Sequence, residues 1–176
     1  MFLLKHKKEN KLYAAKVISK WKIIEEEGSI RYIRNEKFVL EHIQNDFLLS
    51  LKGFFQTERN LYLLTESMET DLYGLLKIYN VKHLSEEAVA FYSICTAVGL
   101  QCLHDHNYTY RDLKPENILI DPQGYPILCD FGLSHLLIPT HKAYTMCGTP
   151  EFFAPEVIAS TSYDERIDWW CLGILM

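Results

Sequence analysis

Apolar and polar residues alternate in two early stretches, Phe2–His6 and Leu12–Ser19, and the polar Lys8-Glu9-Asn10 between them predicts a strand pair joined by a turn. From about residue 29 to 44 the period lengthens: Ile33, Leu40 and Ile43 recur at helical spacing, with Glu36 on the same stripe. Leu48–Phe55 and Asn60–Thr65 predict a second strand pair across residues 56–59. Ser85 fits a helix N-cap, and Glu86 and Glu87 suit the first turn of a helix reaching about His104. Short strands and loops follow, then a segment rich in Thr, Pro and Gly from Pro139 to Pro155. Strands with one helix, then mostly helix, predict an α+β, two-lobed architecture with its boundary near Glu66–Glu69.

Composition narrows the function. The 176 residues are 48% hydrophobic and 23% charged, which suits a globular chain and excludes disorder. A net charge of −5 argues against a nucleic-acid surface, so no nucleic-acid partner is expected. The early apolar run Met1–Leu4 is too short for a signal peptide or a membrane span. Five scattered cysteines without a Cys-x-x-Cys pair suit reduced thiols and a cytoplasmic location, with the nucleus also compatible. Cys102-x-His104-x-His106 invites a metal reading, but zinc motifs pair such ligands with a second set, and none follows.

Three places demand chemistry. Lys16 shares a strand face with Ala14 and Ile18, and a lysine there is costly without a partner or ligand. Glu36 poses the mirror problem on its helix. Either both charges escape to the rim, or they pair and leave a cation aimed at a cleft. Tyr110-Arg111-Asp112-Leu113-Lys114-Pro115-Glu116-Asn117 gathers a proton acceptor, a cation and a hard oxygen ligand in one loop, and Pro115 favours extended backbone at Lys114. Thirteen residues on, Asp130-Phe131-Gly132 adds a second oxygen ligand beside a glycine.

With Tyr13-Ala14-Ala15-Lys16, Cys147-Gly148-Thr149-Pro150-Glu151-Phe152-Phe153-Ala154-Pro155-Glu156 and Ile167-Asp168-Trp169-Trp170, these motifs make the chain resemble a eukaryotic protein kinase domain, most closely the AGC group. The resemblance covers the whole chain and implies the two-lobed kinase fold, with residues 1–66 as small lobe and 67–176 as connecting segment and first part of the large lobe. It implies an ATP-dependent serine/threonine kinase using Mg2+. The alternative is a kinase-like binding module without activity.

By the same resemblance, Lys16 would bind the ATP phosphates, held by Glu36. Asp112 would accept the substrate hydroxyl's proton, Lys114 would neutralise the transferring phosphoryl group, and Asn117 with Asp130 would hold magnesium. Thr65 matches the back of the adenine pocket. The backbones of Glu66 and Met68 match the adenine-bonding segment, and Ala14 and Leu119 match the residues that sandwich the ring. Leu40, Leu51, Tyr110 and Phe131, anchored at Asp168, match an apolar stack between lobes. Protein substrates would be the partners. Asp71 and Glu116 match acids that favour basic residues upstream of the acceptor, with Thr149 also on the substrate side, although Asp71 alternatively just caps a helix.

The resemblance also implies departures. No glycine precedes Gly28, so the glycine-rich loop lies outside these residues. The chain is expected to open in the family's second strand and to stop a few residues into the central large-lobe helix. Thr145 matches the activating phosphorylation site, implying an upstream activating kinase, with Arg111 as the phosphate's cation. His135 stands where a lysine is common and Tyr32 where a histidine is; Arg31 and Arg34 are near enough to compensate. The alternative leaves Thr145 an unmodified loop residue.

Overall fold

The computed structural model describes residues 1–25, 28–80, 83–138 and 143–176. In chain order its elements are β1 (Phe2–Lys5), β2 (Leu12–Ser19), α1 (Lys20–Glu25), α2 (Ser29–His42), β3 (Leu51–Gln56) and β4 (Asn60–Glu66). There follow β5 (Thr70–Asp71), α3 (Leu72–Ile78), α4 (Glu86–Asp105), β6 (Tyr108–Thr109), β7 (Ile118–Ile120), β8 (Pro126–Leu128), β9 (His135–Leu136), α5 (Pro155–Ile158) and α6 (Arg166–Leu175). The first four strands form one antiparallel sheet in the order β1-β2-β4-β3. Strands β5-β7-β8 and β6-β9 are small antiparallel sheets among the later helices. This is an α+β fold, with sheet and one long helix first and helices dominating afterwards. Residues 139–142, at the start of the Thr-, Pro- and Gly-rich segment, lie outside the described residues.

Periodicity places most elements, and tertiary pairing moves some boundaries. Helix α2 turns Glu36, Val39 and Leu40 inward, with Ile43 buried at its C-cap, whereas Ile33 is only half-buried. The apolar run from Leu48 does not open β3. Leu48 pairs in parallel with Leu128, Leu49 N–H donates to Leu128 at 2.9 Å, and Leu128 N–H donates to Phe47 at 2.9 Å. Those leucines are buried by β8 of the second lobe, so β3 starts only at Leu51. The unpredicted helix α1 is six residues long and buries none of them, too short for a helical period to show in the sequence. Ser85 caps α4 by accepting from Ala88 N–H at 3.3 Å.

One core runs across both lobes. Val39, Leu40 and Ile43 of α2 join Leu100 and Leu103 of α4, Ile118 and Leu128 of the second sheet, and Tyr110 and Phe131. Helix α4 approaches β8 at Gly99, where an added Cβ would sit 3.1 Å from Leu128 and 3.2 Å from the Phe47 carbonyl. A smaller cluster of Ala143, Ala154, Val157, Tyr163 and Ile167 lies under the segment that follows residue 142. Among the described residues no helix is long and apolar enough to cross a membrane.

Candidate active site

Strand β2 aligns Lys16 opposite Leu63 of β4, in the middle of the sheet. Lys16 Nζ lies 2.6 Å from Glu36 Oε1 and 3.1 Å from Asp130 Oδ1. Of the two readings open for Lys16 and Glu36, pairing is the one realised. Burial pulls the Lys16 ammonium down, but the attraction of Glu36 and Asp130 outweighs it and holds the group above the usual lysine range. Burial pushes the Glu36 carboxyl up against the pull of Lys16. The lysine thus stays charged and ties strand, helix and the Asp130 loop to one point.

The loop after β6 hangs from Asp168, which is fully buried on α6. Its Oδ2 accepts from Tyr110 N–H at 2.8 Å, Thr109 Oγ1 at 3.0 Å and His104 Nε2 at 2.8 Å, and its Oδ1 accepts from Arg111 N–H at 2.8 Å. So anchored, Arg111 adopts φ 72°, and Asp130 adopts φ 54°. Left-handed backbone at two non-glycine residues is costly and persists only where surroundings impose it.

Asp112 sits at the centre of the loop's hydrogen bonds. Lys114 Nζ donates to its Oδ2 at 2.9 Å, Asn117 Nδ2 donates to the same oxygen at 2.9 Å, and Thr149 Oγ1 donates to Oδ1 at 2.8 Å. Lys114 Nζ also reaches Thr149 Oγ1 at 3.0 Å. Lys114 is extended, as Pro115 behind it requires, and Pro115–Asn117 form a short 3₁₀ turn. Gly148 holds φ 106°, and a Cβ there would stand 2.5 Å from the Arg111 carbonyl, so the Thr149 segment can approach the loop only with glycine at that position.

Between the lobes lies a cavity of about 250 Å³ lined by Met1, Lys16, Glu36, Leu40, Leu49, Leu63, Thr65, Glu116, Asn117, Leu119, Cys129 and Asp130. Its walls are apolar at Leu63 and Leu119 and polar at Lys16, Asn117 and Asp130. Ala14 is aligned with Thr65 across the sheet but does not line the cavity. Glu66 and Met68 do not line it; they line a separate cavity of about 380 Å³ with Ser50, Lys52 and Ile127. Asn117 and Asp130 offer a carboxamide and a carboxylate to one space, donors suited to Mg2+. Among the described residues no cluster of three His, Cys, Asp or Glu could hold a metal alone. That donor set fits an ion that takes its remaining ligands from phosphates and water.

On the far side of the loop, Arg111 Nε donates to the Leu133 carbonyl at 2.7 Å and Nη1 donates to Tyr163 Oη at 3.0 Å. Tyr163 Oη donates to the Thr145 carbonyl at 2.6 Å, and the Thr145 side is exposed. Arg31 Nη2 donates to His135 Nδ1 at 2.7 Å, which makes that nitrogen the unprotonated one. Burial first, then the Arg111 and Arg31 charges, hold His135 below the usual histidine range. Asp71 caps α3 by accepting from Gly74 N–H at 2.7 Å. Glu116 is exposed at the cavity.

Tyr163, Cys129 and Leu63 are site-forming residues that sequence reasoning passed over, and His104 enters there only as a candidate metal ligand. Tyr163 stands in loop without periodicity or motif. Cys129 sits beside a motif, and burial raises its thiol pKa to about 12, which makes it a wall rather than a nucleophile. His104 and His106 are engaged otherwise than the metal reading required: His104 on Asp168, and His106 Nδ1 on the Cys102 carbonyl at 2.8 Å. Leu40, Tyr110 and Phe131 all belong to the main core cluster, and Leu51 packs against that cluster.

Comparison with known proteins agrees with this geometry. The profile of the protein kinase domain matches residues 1–176. Serine/threonine-protein kinase sgk-1 of Caenorhabditis elegans is 38% identical over all of this chain and 38% of its own length. Serine/threonine-protein kinase Sgk2 of Mus musculus is 36% identical, over all of this chain and 48% of its own length. The cAMP-dependent protein kinase catalytic subunit of Arthrobotrys oligospora is 35% identical over 99% of this chain and 33% of its own. The chain therefore spans between a third and a half of the length of these relatives.

Proposed function

The chain belongs to the protein kinase domain family, within the AGC group of serine/threonine kinases, and on that premise we propose that the protein carrying it transfers the γ-phosphate of ATP to serine or threonine hydroxyls of protein substrates. The observation that carries this reading is the convergence of Lys16, Asp130 and Asn117 on one cleft between sheet and helices, with Asn117 hydrogen-bonded to the Asp112 carboxylate that also holds Lys114.

Lys16, fixed by Glu36, would hold the α and β phosphates. Asp112 would orient the acceptor hydroxyl and take its proton, as it already accepts from Thr149. Lys114 bridges Asp112 and Thr149 and would counter charge on the transferring group. Asn117 and Asp130 would ligate Mg2+, which when bound neutralises phosphate charge. Thr65, Leu63 and Leu119 line the space suited to adenine, with Ala14 beside Thr65 in the sheet. Glu66 and Met68 would present backbone to the ring's edge.

Acidic Asp71 and Glu116 support substrates with arginine or lysine upstream of the acceptor. Thr145 is the proposed acceptor of an activating phosphate from an upstream kinase. Five unpaired cysteines support a cytoplasmic or nuclear setting. The test is phosphate transfer from ATP and Mg2+ to a basic serine peptide library by the full-length protein and its Asp130→Ala variant. Transfer by the wild type with a loss of at least about a hundredfold in the variant supports the reading. Equal transfer by both overturns it, and a flat library overturns the basic preference alone.

A further inference from the structure

Tyr163 is buried in the small cluster with Ala143, Ala154, Val157 and Ile167, away from the cleft. Its backbone pairs with Ala143 in both directions, Ala143 N–H to Tyr163 at 3.0 Å and Tyr163 N–H to Ala143 at 2.9 Å. Its hydroxyl then accepts from Arg111 Nη1 and donates to the Thr145 carbonyl. One phenol therefore links the residue before Asp112 to the segment carrying Thr145. Arg111 is buried, sits at φ 72°, and spends its Nε on Leu133, so Tyr163 is the partner that fixes the outer edge of its guanidinium. From the other side Gly148 abuts the Arg111 carbonyl. Residues 143–149 are thereby pinned on both flanks of Arg111 without any phosphate.

We propose that Tyr163 is a positioning residue of the catalytic loop, whose hydroxyl docks residues 143–149 onto Arg111 and sustains activity before Thr145 is phosphorylated. This rests on the kinase reading above. A neutral hydroxyl supplies the guanidinium with one acceptor; a phosphate on Thr145 would bring several charged ones. The hydroxyl therefore matters most when phosphate is absent, and the two contributions are coupled rather than additive. Tyr163→Phe isolates the effect, because the ring and its packing stay.

The experiment uses the full-length protein, wild type and Tyr163→Phe, each dephosphorylated and Thr145-phosphorylated. Steady-state transfer and amide hydrogen exchange over residues 143–149 are measured. In the dephosphorylated form Tyr163→Phe is expected to lower kcat by about 10- to 100-fold, the scale of one lost hydrogen bond to a buried charge, with the KM for ATP unchanged. Exchange over 143–149 should quicken by a similar factor. With Thr145 phosphorylated, the kcat loss should shrink to less than about twofold. Unchanged exchange in the dephosphorylated variant, or equal kcat losses in both forms, overturns the proposal. Should the wild type transfer no phosphate, the kinase reading falls, and the exchange measurement still decides whether Tyr163 holds the segment.

Discussion

The hydroxyl of Thr149 donates to Asp112 Oδ1 at 2.8 Å, so the loop carboxylate already binds a hydroxyl of the kind it would receive from a substrate. Its other oxygen accepts from Lys114 and Asn117. A carboxylate with both oxygens engaged has a single orientation, and orientation is most of what a general base needs before substrate arrives. Two of its three partners, Lys114 and Asn117, flank one short turn of its own loop, and the third, Thr149, comes from a distant segment.

Asp112→Asn should therefore remove proton acceptance while keeping the loop's shape. Steady-state transfer by the full-length protein is expected to fall by about 10²- to 10⁴-fold, with little change in the KM for ATP. A variant within tenfold of wild type would remove Asp112 from the chemistry.

Lys16→Met should be both a binding and a stability defect. It leaves Glu36, whose side chain is only 7% exposed, as a carboxylate without its cation. Because the Lys16 end of the pair is 38% exposed, the expected loss in denaturant unfolding is about 1–3 kcal/mol rather than the larger value of a fully buried pair. Lys16→Met combined with Glu36→Leu should recover part of that stability and none of the activity.

Asp168→Ala tests whether the loop hangs from α6. The change strips acceptors from Thr109, Tyr110, Arg111 and His104 in a fully buried place. A destabilisation of roughly 3–5 kcal/mol is expected by chemical denaturation. A loss below about 1 kcal/mol would mean that the loop is held elsewhere.

His135 should make stability fall on the acid side. Its folded-state pKa lies below the ordinary value, because burial and then Arg111 and Arg31 disfavour the imidazolium. The unfolded chain therefore binds the proton first, near pH 6.5, and stability rises with pH across the window beneath that value. The neutral ring's contribution is complete above about pH 6.5, declines as pH falls toward the folded pKa, and then levels off. Melting curves between pH 5 and 7.5 should show this slope, and His135→Gln should flatten it. An unaltered slope in His135→Gln would place the titration elsewhere.

By itself the chain's sequence determined what local signals can carry. Strand β2 and helices α2 and α4 announce themselves because side-chain period and capping residues are properties of neighbours in the chain. The site's chemistry was legible for a similar reason: Asp112, Lys114 and Asn117 fall within six residues of one another, so their residue types and spacing state the loop's donors and acceptors before folding. The Lys16–Glu36 pair was legible through cost, since two charges on inward faces need each other.

Tertiary structure decided everything that joins distant segments. Leu48 and Leu49 look like the start of a strand until β8 takes them, because an apolar run does not say which neighbour will bury it. Arg31 meets His135 across 104 positions, while Tyr32, the residue at the expected place on α2, is exposed. Tyr163 acquires its role from a bridge to Ala143 and a turn of chain that brings it beneath Thr145. Hydrogen bonds of this kind depend on how two lobes and two cores settle against each other to fractions of an ångström, and no periodicity along the chain encodes that distance.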